Sequence, residues 1–125
     1  SLSELTPVIS GEDYAGLQAL CEKVSVHPLV VDYVVRLMEV TRDPKNFALG
    51  VSTRGGMALI KMAKALSFVQ GMDFVTPDRV KNLIPSVWGH RVRMNDAYLT
   101  NKSVEEKLME VCMQVNAPTE EELTR

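Results

Sequence analysis

Residues 50–71, GVSTRGGMALIKMAKALSFVQG, hold the longest stretch of helical apolar periodicity in the sequence. The spacing predicts one apolar face, made of Leu59, Met62, Ala63, Leu66 and Val69. A narrow polar stripe runs beside that face and consists of Lys61, Lys64, Ser67 and Gln70. Because so little of this helix is polar, we expect it to lie at the centre of a helical bundle. Ser52 is placed to cap its first turn, and Gly71 to end it in a left-handed conformation.

Two helices are predicted before this stretch. Residues 10–23 open with a serine that can cap a helix, and their apolar side chains recur at helical spacing. Residues 29–40 are rich in valine, which favours strands. Asp32, Arg36 and Glu39, however, recur at the spacing of one helical stripe, and strict alternation is absent. We therefore predict a second helix there.

Two more helices are predicted after it. Residues 76–78, Thr-Pro-Asp, combine a cap, a first-turn proline and a first-turn acid. Pro85 is expected to kink or end the helix that starts there. Ser103 lies three positions before a glutamate, the spacing of a capping box, and residues 117–125 are expected to form a frayed acidic end. The whole pattern predicts an all-α chain folded as a small bundle of about five helices.

Length and composition suit one globular domain over residues 1–125. Hydrophobic residues make up 46% of the chain, and the net charge is only −2. Without a basic excess, we expect no nucleic acid as a partner. No apolar run reaches the roughly 18 to 20 residues that span a bilayer, so we also expect no membrane insertion. The chain opens with Ser1 and not Met, from which we expect a start after processing or excision.

The cysteines and histidines give little sign of chemistry. Cys21 and Cys112 are far apart in apolar helical patterns, so we interpret them as buried free thiols in a cytoplasmic protein. A disulfide is the less favoured alternative. His27 and His90 have no Cys, Asp or Glu near them at ligand spacing, so no metal site is predicted.

Arg54 is the residue with the most chemical promise. A cap at Ser52 places this arginine in the first turn of the helix, where the helix dipole disfavours a cation. An anion bound at the helix start would remove that conflict, and the guanidinium fork matches phosphate oxygens. The alternative is an arginine whose head reaches water or a neighbouring carboxylate. No phosphate-binding loop is present, so the chain alone is not expected to be catalytic.

Other basic residues have a structural interpretation beside a functional one. Arg42 follows the second predicted helix, where a cation suits the dipole. His90, Arg91 and Arg93 form a small basic cluster for which a structural role at a helix end is favoured.

An ordered series of motifs resembles the lid region of MoxR-type AAA+ ATPases over about residues 8–116. These motifs are DYVV at 32–35, TR at 41–42, LGVSTRG at 49–55, AKAL at 63–66, GMDFVTPDRV at 71–80 and HR at 90–91. The resemblance implies a helical lid that follows an α/β nucleotide-binding domain, which is absent from this chain. It also implies that Arg54 corresponds to the sensor-2 arginine, which contacts the terminal phosphate of ATP, and that Ser52 is the family's serine beside it.

The resemblance implies a function for the full-length protein. ATP would be bound with Mg²⁺ and hydrolysed in a homo-hexameric ring, and hydrolysis would drive chaperone-like remodelling or maturation of a client protein. Thr53 stands where the family usually has proline, and Gly56 and Trp88 also depart from its pattern. The alternative function is a free-standing helical interaction module without a nucleotide role, using an apolar groove near Trp88.

Overall fold

The computed structural model describes residues 11–12, 15, 25–95 and 101–125. These residues contain five helices: α1 (Pro28–Arg42), α2 (Thr53–Val69), α3 (Pro77–Trp88), α4 (Val104–Cys112) and α5 (Glu120–Leu123). A single antiparallel bridge between Leu49 and Arg93 is the only β pairing in this described part. The all-α prediction is therefore confirmed. The helix predicted over residues 10–23 lies mostly outside the described residues.

The valine-rich helix α1 is the most buried element of the bundle, and it packs against α2, α3 and α4. Its buried side chains cover most of its circumference: Val30, Val31, Tyr33, Val34, Val35, Leu37, Met38 and Thr41. Asp32 and Arg36, which predicted a helix here, lie at its half-exposed edge as an i,i+4 ion pair of 3.5 Å. The predicted helix is confirmed, and a larger share of its residues is buried than of those in α2.

The buried face of α2 also differs from the predicted one. Met62 and Val69, expected inside, are 47% and 79% exposed, whereas Ser67 is fully buried. Small residues form much of the buried stripe, which consists of Gly55, Gly56, Leu59, Ile60, Ala63 and Ser67. Ser67 can be buried because its hydroxyl donates to the Ala63 carbonyl at 2.8 Å. Which residues of α2 are buried therefore depends on how closely the neighbouring helices approach, and not on hydrophobicity alone.

Gly71 ends α2 as predicted. Its φ is +78°, a conformation that glycine adopts without steric cost. The Met72 amide donates to the Ser67 carbonyl at 2.8 Å, and the Gly71 amide donates to the Phe68 carbonyl at 2.9 Å. This pair of bonds is a Schellman motif, which satisfies carbonyls that the helix end would leave free.

Helix α3 passes through Pro85 to Trp88, so the expectation that the helix would end at Pro85 was wrong. Ile84 and Trp88, one position before it and three after it, are both fully buried. Tertiary packing on both sides of the proline offsets the one backbone hydrogen bond that it removes. The Thr76 cap at the start of α3 is confirmed, since its hydroxyl accepts from the Arg79 amide at 3.1 Å.

The acidic end of the chain is a short helix, α5, and not the frayed segment expected there. Thr119 and Glu122 form a complete capping box around its first turn. Leu123 packs partly buried against the core. The spacing from Thr119 to Glu122 fits a capping box, but the prediction from sequence did not use it and relied on the charge of three consecutive glutamates.

Candidate functional site

The segment before α2 is held against the end of α1. The Val51 amide donates to Thr41 Oγ1 at 3.0 Å, and the Val51 carbonyl accepts from Arg42 Nε at 2.7 Å. Gly50 fits only because it lacks a side chain, since a Cβ there would lie 2.6 Å from the Arg42 Cα. These contacts fix the position at which α2 begins. They also support the structural interpretation of Arg42.

Ser52 caps α2, as its sequence position predicted. Its side chain accepts from the Gly55 amide at 3.3 Å, and its carbonyl accepts from the Gly56 amide at 3.1 Å. Thr53 and Arg54 lie between Ser52 and Gly55, and their backbone amides find no acceptor among the described residues. Free amides and the helix dipole together give this end of α2 a partial positive charge.

Arg54 lies in the first turn of α2 with its side chain exposed. No carboxylate in the described part of the chain forms an ion pair with it, and the first turn contains no acidic residue. The alternative in which the Arg54 head pairs with a neighbouring carboxylate is therefore not found among the described residues. The guanidinium is accessible to an anion that comes from outside them.

Trp88, at the end of α3, anchors the same turn of α2 from inside the bundle. Its indole Nε1 donates to the Gly55 carbonyl at 2.9 Å, and the whole side chain is buried. The exposed apolar groove suggested near Trp88 for an interaction module is therefore not present at that residue. Gly55 and Trp88 are 33 positions apart in the sequence, and no local sequence pattern predicted their contact.

The basic residues after α3 lie at the same end of the bundle. The Arg93 amide donates to the Leu49 carbonyl at 2.9 Å, which holds this segment beside the start of α2. A Cβ on Gly55 would lie 3.1 Å from Arg91 Cδ, so the Arg91 stem packs on the first turn. Sequence reasoning treated Arg91 and Arg54 separately, and the antiparallel packing of α2 and α3 brings them together.

The remaining candidates have structural roles. Cys112 is a free, buried thiol, as predicted, and burial raises its pKa to about 12. Cys21 lies outside the described residues. His27 caps α1, since its Nδ1 accepts from the Leu29 amide at 3.0 Å. Among the residues that the structure describes, no group of three or more His, Cys, Asp or Glu side chains could hold a metal ion. The helices in this described part are too short or too polar to span a lipid bilayer.

These features define an all-α domain in which an exposed arginine stands at the start of a capped helix. The sequence matches the AAA lid domain family over residues 39–111, more than half of its length. The chain therefore belongs to the AAA lid domain family. The predicted resemblance to the lids of MoxR-type ATPases is confirmed by relatives that carry the MoxR name.

Three relatives cover most of this chain. The protein YeaC of Bacillus subtilis is 30% identical over 125 residues, which is 99% of this chain and 39% of the relative. Chaperone MoxR1 of Mycobacterium tuberculosis is 35% identical over 94 residues, 68% of this chain and 25% of the relative. Protein MoxR of Paracoccus denitrificans is 29% identical over 102 residues, 68% of this chain and 30% of the relative. The chain thus spans well under half the length of each of these relatives.

A crystal structure of a candidate ATPase from Cytophaga hutchinsonii shares the fold. The likeness covers 81% of this chain and 34% of the other, with a TM-score of 0.69 and 24% sequence identity. At this identity, the likeness concerns the fold alone, and it agrees with the all-α bundle.

Proposed function

We propose that this chain is the sensor-2 lid of a MoxR-type AAA+ ATPase, in which Arg54 binds the terminal phosphate of ATP. One observation carries the proposal: the Arg54 guanidinium is exposed at the start of α2 and has no ion-pair partner among the described residues. An α/β domain elsewhere in the same polypeptide would hold the nucleotide, because this chain has no phosphate-binding loop.

The donor set at the start of α2 suits a phosphate group. The unpaired amides of Thr53 and Arg54 supply hydrogen-bond donors, and the helix dipole favours negative charge there. The arginine fork can form two parallel hydrogen bonds to phosphate oxygens. Bound Mg²⁺ would supply charge neutralisation on the phosphate chain.

The packing around Arg54 suits a sensor of hydrolysis. A charge-assisted hydrogen bond contributes about 1.5–3 kcal/mol, so its loss shifts a two-position equilibrium by about tenfold to a hundredfold. The first turn of α2 is tied to α1 through Val51 and to α3 through Trp88. A displacement of Arg54 would therefore carry these three helices together, which is what a moving lid requires.

The wider activity follows from the family relationship. We propose ATP hydrolysis by the full-length protein in a homo-hexameric ring in the cytoplasm. Chaperone-like remodelling or maturation of a client protein is proposed because one relative is named a chaperone. Both proposals rest on the AAA lid family and the MoxR relatives.

Substitution Arg54→Ala in the full-length protein tests this function. We expect the rate of ATP hydrolysis to fall at least about tenfold, since a phosphate contact of about 1.5–3 kcal/mol is removed. Lys61→Ala is the matched control, because Lys61 is an exposed cation on the same helix, away from its start. Unchanged hydrolysis in Arg54→Ala, together with an unchanged response of the oligomer to nucleotide, would contradict the proposal.

A further inference from the structure

Arg91 lies against the helix turn that carries Arg54. Its Cδ would be 3.1 Å from a Cβ on Gly55, so the Arg91 stem packs closely on the first turn of α2. Its backbone is fixed as well, because the Arg91 amide donates to the Trp88 carbonyl at 2.9 Å. Gly55 is therefore adjacent to both arginines. Arg54 precedes it in the chain, and the side-chain stem of Arg91 packs against it.

The charge of Arg91 is not compensated by the described residues. Its side chain is exposed, and no described carboxylate pairs with it. Glu105 is a nearby acid, with its Cγ 3.8 Å from where Gly89 would carry a Cβ, but it forms no ion pair. Arg54 and the stem of Arg91 thus both lie at the first turn of α2, where the helix dipole disfavours cations. An anion bound at this turn would offset the charge of both side chains.

We propose that Arg91 is a second phosphate-binding arginine, which contacts the same terminal phosphate as Arg54. This inference rests on the proposed function, and it assigns to that site a residue more than 30 positions away in sequence. Two arginines on one terminal phosphate would distinguish a nucleoside triphosphate from a diphosphate by more than either one alone.

The neighbouring arginines do not fit this role. Arg42 already donates from Nε to the Val51 carbonyl, so its head is committed to holding the loop. Arg93 contributes its backbone to the bridge with Leu49, and its side chain is exposed. Arg93 therefore serves as a control for the general effect of removing one positive charge near the site.

The test measures nucleotide dissociation constants for the full-length protein, with a non-hydrolysable ATP analogue and with ADP. The variants are Arg91→Ala, Arg91→Lys, Arg54→Ala and the control Arg93→Ala. We expect Arg91→Ala to weaken the ATP analogue about tenfold and ADP by less than about twofold, as for one lost charge-assisted contact to the terminal phosphate. Arg91→Lys should give an intermediate loss, because an ammonium group cannot form two parallel bonds. Arg93→Ala should bind both nucleotides like the wild type.

Circular dichroism spectra and thermal unfolding midpoints first establish that the variants fold like the wild type. If Arg91→Ala binds the ATP analogue like the wild type while Arg54→Ala does not, this inference is wrong and the proposed function stands. Equal weakening by Arg93→Ala, or equal weakening of ADP and the analogue, would also overturn the role of Arg91. If Arg54→Ala and Arg91→Ala both bind normally, the proposed function fails as well.

Discussion

Gly56 shows how a single residue sets the distance between α1 and α2. A Cβ at this position would lie 2.3 Å from Met38 Sδ, closer than any real contact of this kind. In the sequence, glycine at this place only indicated a weakened helix, costing about 0.5–1 kcal/mol relative to alanine. The packing of the methionine explains why the chain tolerates that cost.

Replacement of this glycine gives a prediction at the residue scale. Gly56→Ala should lower the free energy of unfolding by up to about 2 kcal/mol, because the cost of overpacking against the buried Met38, about 1–3 kcal/mol, outweighs the roughly 0.5–1 kcal/mol that alanine contributes to the helix. Urea denaturation of the chain measures the change. Gly11→Ala is the control, since nothing lies within 4 Å of a Cβ there. If the Gly56→Ala protein were as stable as the control, a Cβ at position 56 would fit between α1 and α2 without disturbing Met38.

Cys112 gives a prediction about pH. Burial raises the pKa of its thiol to about 12, above the value of about 8.5 for an exposed thiol. Above pH 9 the unfolded chain therefore loses this proton while the folded chain keeps it, so stability falls as the pH rises from about 9 towards 12. The slope from this group approaches about 1.4 kcal/mol per pH unit.

Thermal unfolding between pH 8 and 11 under reducing conditions measures this slope. Cys112→Val removes the ionisable group and keeps a buried apolar side chain, so its unfolding should depend less on pH over this range. Identical pH profiles for the two proteins would mean that the thiol ionises as readily in the folded chain as in the unfolded one.

At the scale of helices, local signals predicted the helix starts and the glycine end of α2 better than they predicted the helix interiors. Ser52 and Thr76 cap their helices where the sequence placed them, because a cap depends on a few adjacent residues. Pro85 was misjudged because buried neighbours on both sides keep α3 intact, and such packing has no local signature. Ser67 was placed on the wrong side of α2 for a related reason: its hydroxyl is satisfied within its own helix.

The contact between α3 and α2 gives a prediction at this scale. Trp88→Phe removes the indole hydrogen bond to the Gly55 carbonyl, which keeps only the bond from its own helix, and leaves space where the larger ring was. We expect a loss of about 1–3 kcal/mol in the free energy of unfolding, from the lost hydrogen bond and from the space that the smaller ring leaves in the core. Chemical denaturation followed by circular dichroism measures it. A loss below about 0.5 kcal/mol would indicate that the bond does not anchor α3 to α2.

At the scale of the whole molecule, the sequence predicted the helical class and the place of Arg54 in the first turn of α2, but not the residues that pack around that turn. Ser52 and Arg54 were identifiable because the cap and the first turn are adjacent in the chain. Trp88 and Arg91 reach the same turn only through the antiparallel packing of α2 and α3. Contacts of this kind depend on the fold and not on spacing along the chain.

A structure of the full-length protein bound to a non-hydrolysable ATP analogue would show whether Arg54 contacts the nucleotide. We expect an Arg54 guanidinium nitrogen about 2.7–2.9 Å from an oxygen of the terminal phosphate, the length of a charge-assisted hydrogen bond. A bound analogue whose terminal phosphate is surrounded by other residues, with Arg54 in solvent or paired with a carboxylate, would contradict it.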